Sequence, residues 1–432
     1  MSPLDGRRQP LGVRRPQPDH LRLAKPLDGA GRELLREIEA VEAELKSVHQ
    51  RARMLPAMTA RHGAGERERL VAELKRGRSP RPQWRKTPHT PTTQELRVVD
   101  RLRRRVAELP IGPLYGDKLN ELELELCMLE ALGRERVVRP LSARRFGTGD
   151  RPAPSWAGGT LGACAARVLS ELPPDPENKT IPARAFRASR CLSGMMVALA
   201  RSANLEVQVV VDPRLVAGAA TGEHTVYIAD RMFGAREARR LAVHEVLGHL
   251  LAAANGRRQL VRLLEWGTVD AFADQEGVAL CLEAAAGLMD NHRLRTLAGR
   301  VCATDLMHGG ATFGDTALHL VRAEEFAPED AIALSERAYR GGGVARDVSY
   351  LEGYLRVRQA IARGQTDLDE LRAGRLSVAA ISHVRALGDI GLFVEPHHCP
   401  NLARSFFSTS SGTMPDRFPP SDAASLTRLE LT

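Results

Sequence analysis

Residues 239–256 read RRLAVHEVLGHLLAAANG, and the fold turns on how the two histidines in this run are spaced. Apolar residues dominate it, which predicts a buried helix. A metal-binding pair on a regular helix sits at i and i+4, where side chains diverge by only about 40° at about 100° per residue. His244 and His249 stand instead at i and i+5, which opens the angle to about 140° and aims the imidazoles at different faces. One π-type turn between them absorbs the extra residue, and such turns occur mostly at functional sites. Gly248, lacking a Cβ, makes that distortion easier. The two rings then meet at one ion, and Glu245, beside the first histidine, faces the open coordination position as a general base.

A hydrolytic metal site of this type takes a third protein ligand. In FADQEGVALCLEAA (272–285), Glu276 begins a helical run and is the candidate. Asp270, Asp274 and Glu283 are alternatives, either as the ligand or as supports for the histidines. The opposing reading is simple packing, since a chain with 13 histidines also produces short motifs by chance. His308 is read as structural, and His397, His398 and Cys399 as solvated residues of a proline-flanked tail.

The rest of the chain frames this helix. With 43% hydrophobic residues in 432, the protein has enough apolar content for a large core. The longest apolar run, VALCLEAAAGLM (278–289), falls short of the roughly 18–20 residues of a membrane span and contains Glu283. No apolar stretch follows the N-terminal arginines as a secretory signal requires, so a cytoplasmic protein without a membrane contact is expected. Six scattered cysteines with no C-x-x-C pair read as buried free thiols. The net charge of +9 comes mainly from the first 105 residues. With few aromatics interleaved it reads as solvated helix faces, next as a dock for an acidic partner on 66–105, and not as specific nucleic-acid recognition.

Three segments are expected: a disordered basic arm over 1–27, a catalytic domain over 28–395 with arginine-rich N-terminal helices, and a poorly ordered tail over 396–432. Leu34, Ile38, Val41, Leu45 and Val48 alternate steps of four and three, which predicts an amphipathic helix ending before Pro56. Further helices are expected near 93–109, 117–132, 160–171, 181–203 and 235–254, with PIGPLYG as a break and Asn255-Gly256 as a stop. EVQVVVD (206–212) and HTVYIAD (224–230), separated by an Ala/Gly-rich turn region, read as neighbouring strands. Helices outnumber strands, so the fold class is mainly α with a small β-sheet (α+β).

HEVLGH followed by QEGVA (275–279) resembles the QEGLA-motif, microtubule-associated tyrosine carboxypeptidase-like family of zinc metallopeptidases. LPIGPLYGDKL, RLRTLAGRVCA, ATFGD, RAYRGG and ARDVSYLEGYL continue the likeness in order over roughly residues 30–395. The resemblance implies a zincin-like metallopeptidase with an HExxxH helix, one Zn²⁺ per chain, His244, His249 and Glu276 as ligands, and Glu245 as base. Two departures stand out: Val278 where QEGLA has leucine, and Leu247-Gly248 where family members usually carry Gly-Thr. As a hexapeptide HEVLGH is also similar to the HELLGH of dipeptidyl peptidase III, but the second acidic motif of that family is not found at its greater distance.

The expected activity is removal of a C-terminal residue, tyrosine or another on an acidic tail, from a protein or peptide. A carboxypeptidase must hold the substrate's terminal carboxylate, and arginine suits this because its fork matches a carboxylate. SERAYRGGGVARDVSYLEGYL (335–355) offers Arg337, Arg340 and Arg346, with Tyr350 as a donor to the oxyanion. The opposing reading makes YRGGG a helix stop and pairs Arg346 with Asp347 or another acid. HTVYIAD is expected to form the cleft edge. The alternatives are a dipeptidyl peptidase III-like exopeptidase and a non-catalytic binding protein on the same fold.

Overall fold

Asp28 starts the first helix, its Oδ1 accepting the Gly31 N–H at 2.7 Å ahead of Gly29–Arg51. The structure, a computed structural model, describes residues 27–398 apart from 59–62, 85–90, 176–179, 186–189, 214 and 216. Nearly all of the expected arm and tail, Cys399 included, therefore lies outside the described residues. Ile38, Val41, Leu45 and Val48 are buried as their spacing demands. Leu35 joins them, while Leu34 is only partly covered.

Across that stripe lies Thr93–Val106, which buries Val99, Leu102 and Val106. Its charged face is exposed but carries ion pairs. Arg101 reaches Glu44 at 2.5 Å, Arg103 reaches Glu123 at 2.5 Å, and Arg105 reaches Glu37 at 3.0 Å. These side chains stay substantially exposed, as expected of a solvated face, and also reach neighbouring helices, each exposed pair worth about 0–1 kcal/mol.

The helix breaks over 107–111 as PIGPLYG suggests, but only the first two residues of that run belong to the break. Its remainder opens the helix Gly112–Ala131, earlier than the expected start at 117, with Pro113 in the first turn, where the missing N–H has no bond to lose. Glu135–Phe146 is helical despite Pro140 inside it, and the sequence reading placed no helix there. The run expected as helix over 181–203 is helical only over Leu192–Ser202.

Among the described residues, five short strands make two small sheets: β1 (Thr180–Pro182), β2 (Gln208–Asp212), β3 (Ala219–Thr221), β4 (Thr225–Ala229) and β5 (Met232–Gly234). β1 pairs antiparallel with β5, which is why the helix after residue 180 starts late. β2 and β4 are neighbours as expected, in parallel, with Val210 opposite Tyr227. β3, inside the stretch read as an Ala/Gly-rich turn, covers the far edge of β4 in antiparallel register. β4 is thus the centre of its sheet, and the free edge beside the cleft belongs to β3.

From Gly234 the chain runs as one continuous rod: α-helix over Ala235–Ala242, π-helix over Val243–Leu250, and α-helix over Leu251–Arg258. Asn255-Gly256 does not end it. Asn255 is buried, and its amide donates to the carbonyls of Arg372 at 2.9 Å and His398 at 3.0 Å. The segment of His397 and His398 is thereby pinned to the rod.

The remaining helices include Ala271–Ala285, Asn291–His308, Pro328–Tyr339 and Ser349–Ala362. Ala271–Ala285 lies at the centre of the fold, and glycines let its neighbours approach. A Cβ on Gly248 would stand 2.8 Å from the Ala279 Cβ, so this glycine serves close packing between the rod and Ala271–Ala285. On the opposite side a Cβ on Gly353 would stand 1.8 Å from the Ala273 carbonyl oxygen. Gly353→Ala is therefore expected to cost at least about 1–3 kcal/mol by overpacking, read as a lower denaturant midpoint; an unchanged midpoint would mean the two helices part freely. Among the described residues no disulfide forms, and no helix is long and apolar enough to cross a membrane.

Candidate active site

The π-helix does what the five-residue spacing requires. His244 and His249 bring their Nε2 atoms to 3.1 Å, and the Glu276 Oε2 lies 3.1 Å from the first and 3.6 Å from the second. Glu276 arrives on Ala271–Ala285, held by the glycine contacts above. Donor atoms of all three lie within 4.8 Å of one another.

The outer nitrogen of His244 explains why its Nε2 can serve as a donor atom. Nδ1 donates to the Glu283 Oε1 at 2.7 Å, which fixes the tautomer that leaves a lone pair on Nε2. Arg293 grips the same carboxylate from Nε and Nη2, both at 2.9 Å. Burial by itself would raise the pKa of Glu283, but Arg293 and Arg240 hold it down at about 2. Burial likewise works against a charged His244, yet Glu276 and Glu283 raise its pKa to about 9, so the Nε2 lone pair becomes free for an ion only as that ion displaces the Nε2 proton. The pocket thus attracts positive charge, and its convergent set of two imidazole nitrogens and one carboxylate oxygen fits zinc.

The alternatives to Glu276 are engaged elsewhere. Asp274 accepts from Arg356 at 2.7 Å and from the Val378 N–H at 2.7 Å. Asp270 holds Arg145 at 3.2 Å in a buried ion cluster with Glu121 and Lys118. Glu283, at 2.7 Å from the wrong side of His244 for a shared ion, acts through that ring.

Glu245 is buried and borders the cleft. Thr221, at the end of β3, donates its hydroxyl to Glu245 Oε2 at 2.7 Å. Sequence reading missed Thr221, because its segment was taken for a turn. The same error put HTVYIAD at the cleft edge, where Ala219, Ala220 and Thr221 of β3 stand instead.

The cleft, about 1470 Å³, is also bordered by Arg337, Arg340, Arg346 and Tyr350. Two of these arginines are already spent. Arg337 donates to Asp347 Oδ2 at 2.7 Å and Arg340 to Oδ1 at 3.2 Å. Burial would raise the pKa of Asp347, but the arginines around it hold it well below the usual carboxylate range. Arg346 does not pair with Asp347; its guanidinium lies 4.0 Å over the Phe272 ring. Burial, with Glu276 and Asp347 nearby, raises the Tyr350 phenol, which keeps it a neutral donor. The glycine triplet is a helix stop, its residues at φ 67°, 91° and 117°, and it does not border the cleft. His308 is half-buried and outside the cleft lining.

No curated protein matches this chain. Residues 71–413, most of its length, match the family described as microtubule-associated tyrosine carboxypeptidase, and the chain belongs to that family.

Proposed function

We propose that the protein is a zinc-dependent, zincin-like carboxypeptidase that removes one residue, tyrosine or a similar aromatic, from the C-terminus of a protein or peptide. The observation that supports this most is the convergence of His244, His249 and Glu276 beside Glu245 in one cleft. His244, His249 and Glu276 would hold the ion, one per chain. When bound, zinc supplies Lewis acidity toward the scissile carbonyl and makes water acidic enough to react near neutral pH.

The chain's own groups do the rest. Glu245 takes a proton on the oxygen Thr221 leaves free and returns it to the leaving amine. Tyr350 donates to the carbonyl oxygen as its charge grows. Phe272 and Tyr350, edge to face at 5.9 Å, give an aromatic wall for the residue released. In this reading residues 28–395 form the catalytic unit of a cytoplasmic enzyme, and an acidic tail suits the arginines along the cleft.

Elemental analysis should find about one zinc per chain. Glu283→Gln should weaken zinc binding about 10- to 100-fold, and Glu276→Ala more; the reverse order would make Glu283 the ligand. Mass spectrometry of a peptide library should show release of single C-terminal residues. N-terminal dipeptides would favour a dipeptidyl peptidase, and no cleavage by the zinc-loaded protein would favour a binding module.

A further inference from the structure

Arg300, on Asn291–His308, is only 8% exposed and borders the same cleft. Its guanidinium makes no hydrogen bond among the described residues, and Nε and Nη1 are fully buried without a partner. Leaving a buried cation unpaired is costly, so such a group normally has a partner in the working molecule. The carboxylate that could have served, Asp347, is occupied by Arg337 and Arg340. Arg346 also lacks an acidic partner among the described residues, and its Nε too is buried without one, but the residue is only half-buried and its two Nη atoms are not among the buried orphans, whereas Arg300 has two such atoms and is buried as a whole. Around Asp347 the cleft wall thus carries four guanidiniums against one carboxylate.

The position of Arg300 is set by aromatic rings. It lies 4.2 Å over Tyr350, which stands edge to face with Phe272, and Arg346 lies 4.0 Å over the Phe272 ring. A ladder of guanidinium, phenol, phenyl and guanidinium results. Tyr350 feels the charge of both Glu276 and Arg300, so the ladder connects the histidine site to the buried cation. Burial and the neighbouring Arg337 depress the Arg300 pKa to about 10, as expected of a cation short of an anion.

We propose that Arg300 is the residue that binds the terminal carboxylate of the substrate, with Arg337 and Arg340 serving only to hold Asp347. This rests on the carboxypeptidase reading. An arriving carboxylate gives the buried guanidinium the charge-assisted hydrogen bonds it lacks. The aromatic ladder beside it takes the side chain of the same terminal residue.

The test compares N-acetyl-tyrosine with N-acetyl-tyrosinamide by calorimetry on the zinc-loaded protein, alongside hydrolysis of a peptide with a free or amidated end. The wild type should prefer the acid. Arg300→Gln should lose at least about 30-fold in affinity for the acid, with a matching collapse of the free-to-amidated ratio of kcat/KM, expressed mainly in KM. Its melting temperature should stay within a few degrees of wild type, since no hydrogen bond of the side chain is removed. A wild type that binds acid and amide alike would overturn the proposal. So would an Arg300→Gln protein that keeps the preference, or a collapse seen in Arg346→Gln alone. If the acid binds through Arg300 but no peptide is hydrolysed, the carboxypeptidase reading fails and the anion site stands.

Discussion

Glu245→Gln should keep a full complement of zinc and lower kcat by about 10²- to 10⁴-fold, the usual worth of a general base. The reason lies in what the side chain touches. Glu245 is not among the three donors that converge, and its one side-chain hydrogen bond among the described residues comes from Thr221. Glutamine keeps the size and can still accept that bond, but it cannot take a proton at neutral pH. Zinc content by elemental analysis and turnover on a free-ended peptide check the two halves separately. Undiminished turnover would assign the base to another group; loss of zinc would make Glu245 part of the ion's cage. Thr221→Val should give a milder loss, because the carboxylate remains and only its orientation is released.

Asp347→Asn should be the most destabilising single change near the cleft, at about 3–5 kcal/mol in denaturant unfolding. Its side chain is 4% exposed and receives Arg337 and Arg340, so neutralising it leaves two cations facing each other. Arg300 and Arg346 add to the same unbalanced charge. Arg337→Gln should cost less, because one arginine remains for Asp347 and the Arg337 side chain is 28% exposed. A loss below about 1 kcal/mol for Asp347→Asn would mean that water enters to solvate the arginines. The aspartate is then a structural hub, and the arginines it binds are unavailable to a substrate.

Much of the site is visible in the sequence because its logic is local. The angle between residues five apart is fixed by helix geometry, so HEVLGH implies a π-turn before any neighbour is known, and Val243–Leu250 has that form. The stripe from Ile38 to Val48 is local in the same way, since its period needs only one helix. Where the reading went wrong, a single residue type was trusted over packing. The break at PIGPLYG stops before Pro113, which stands in a first turn, and Asn255-Gly256 looked like a stop but is buried within a continuing rod.

Only the tertiary structure could divide labour among side chains distant in sequence. Glu276 and Glu283 lie on one helix and are chemically alike. What separates them is which nitrogen of His244 each meets, and that depends on how two helices dock through Gly248 and Ala279. The four arginines are equally undistinguished in the linear chain. Arg337 and Arg340 find Asp347, Arg346 finds Phe272, and Arg300, three residues after Leu297 within the apolar pattern of RLRTLAGRVCA, is buried without an anion. The sequence by itself determined the two histidines and the turn that aligns them, because covalent geometry acts over a few residues. Which charges are satisfied and which are left to bind a ligand was decided only by folding, because burial and pairing depend on neighbours that no spacing rule can supply.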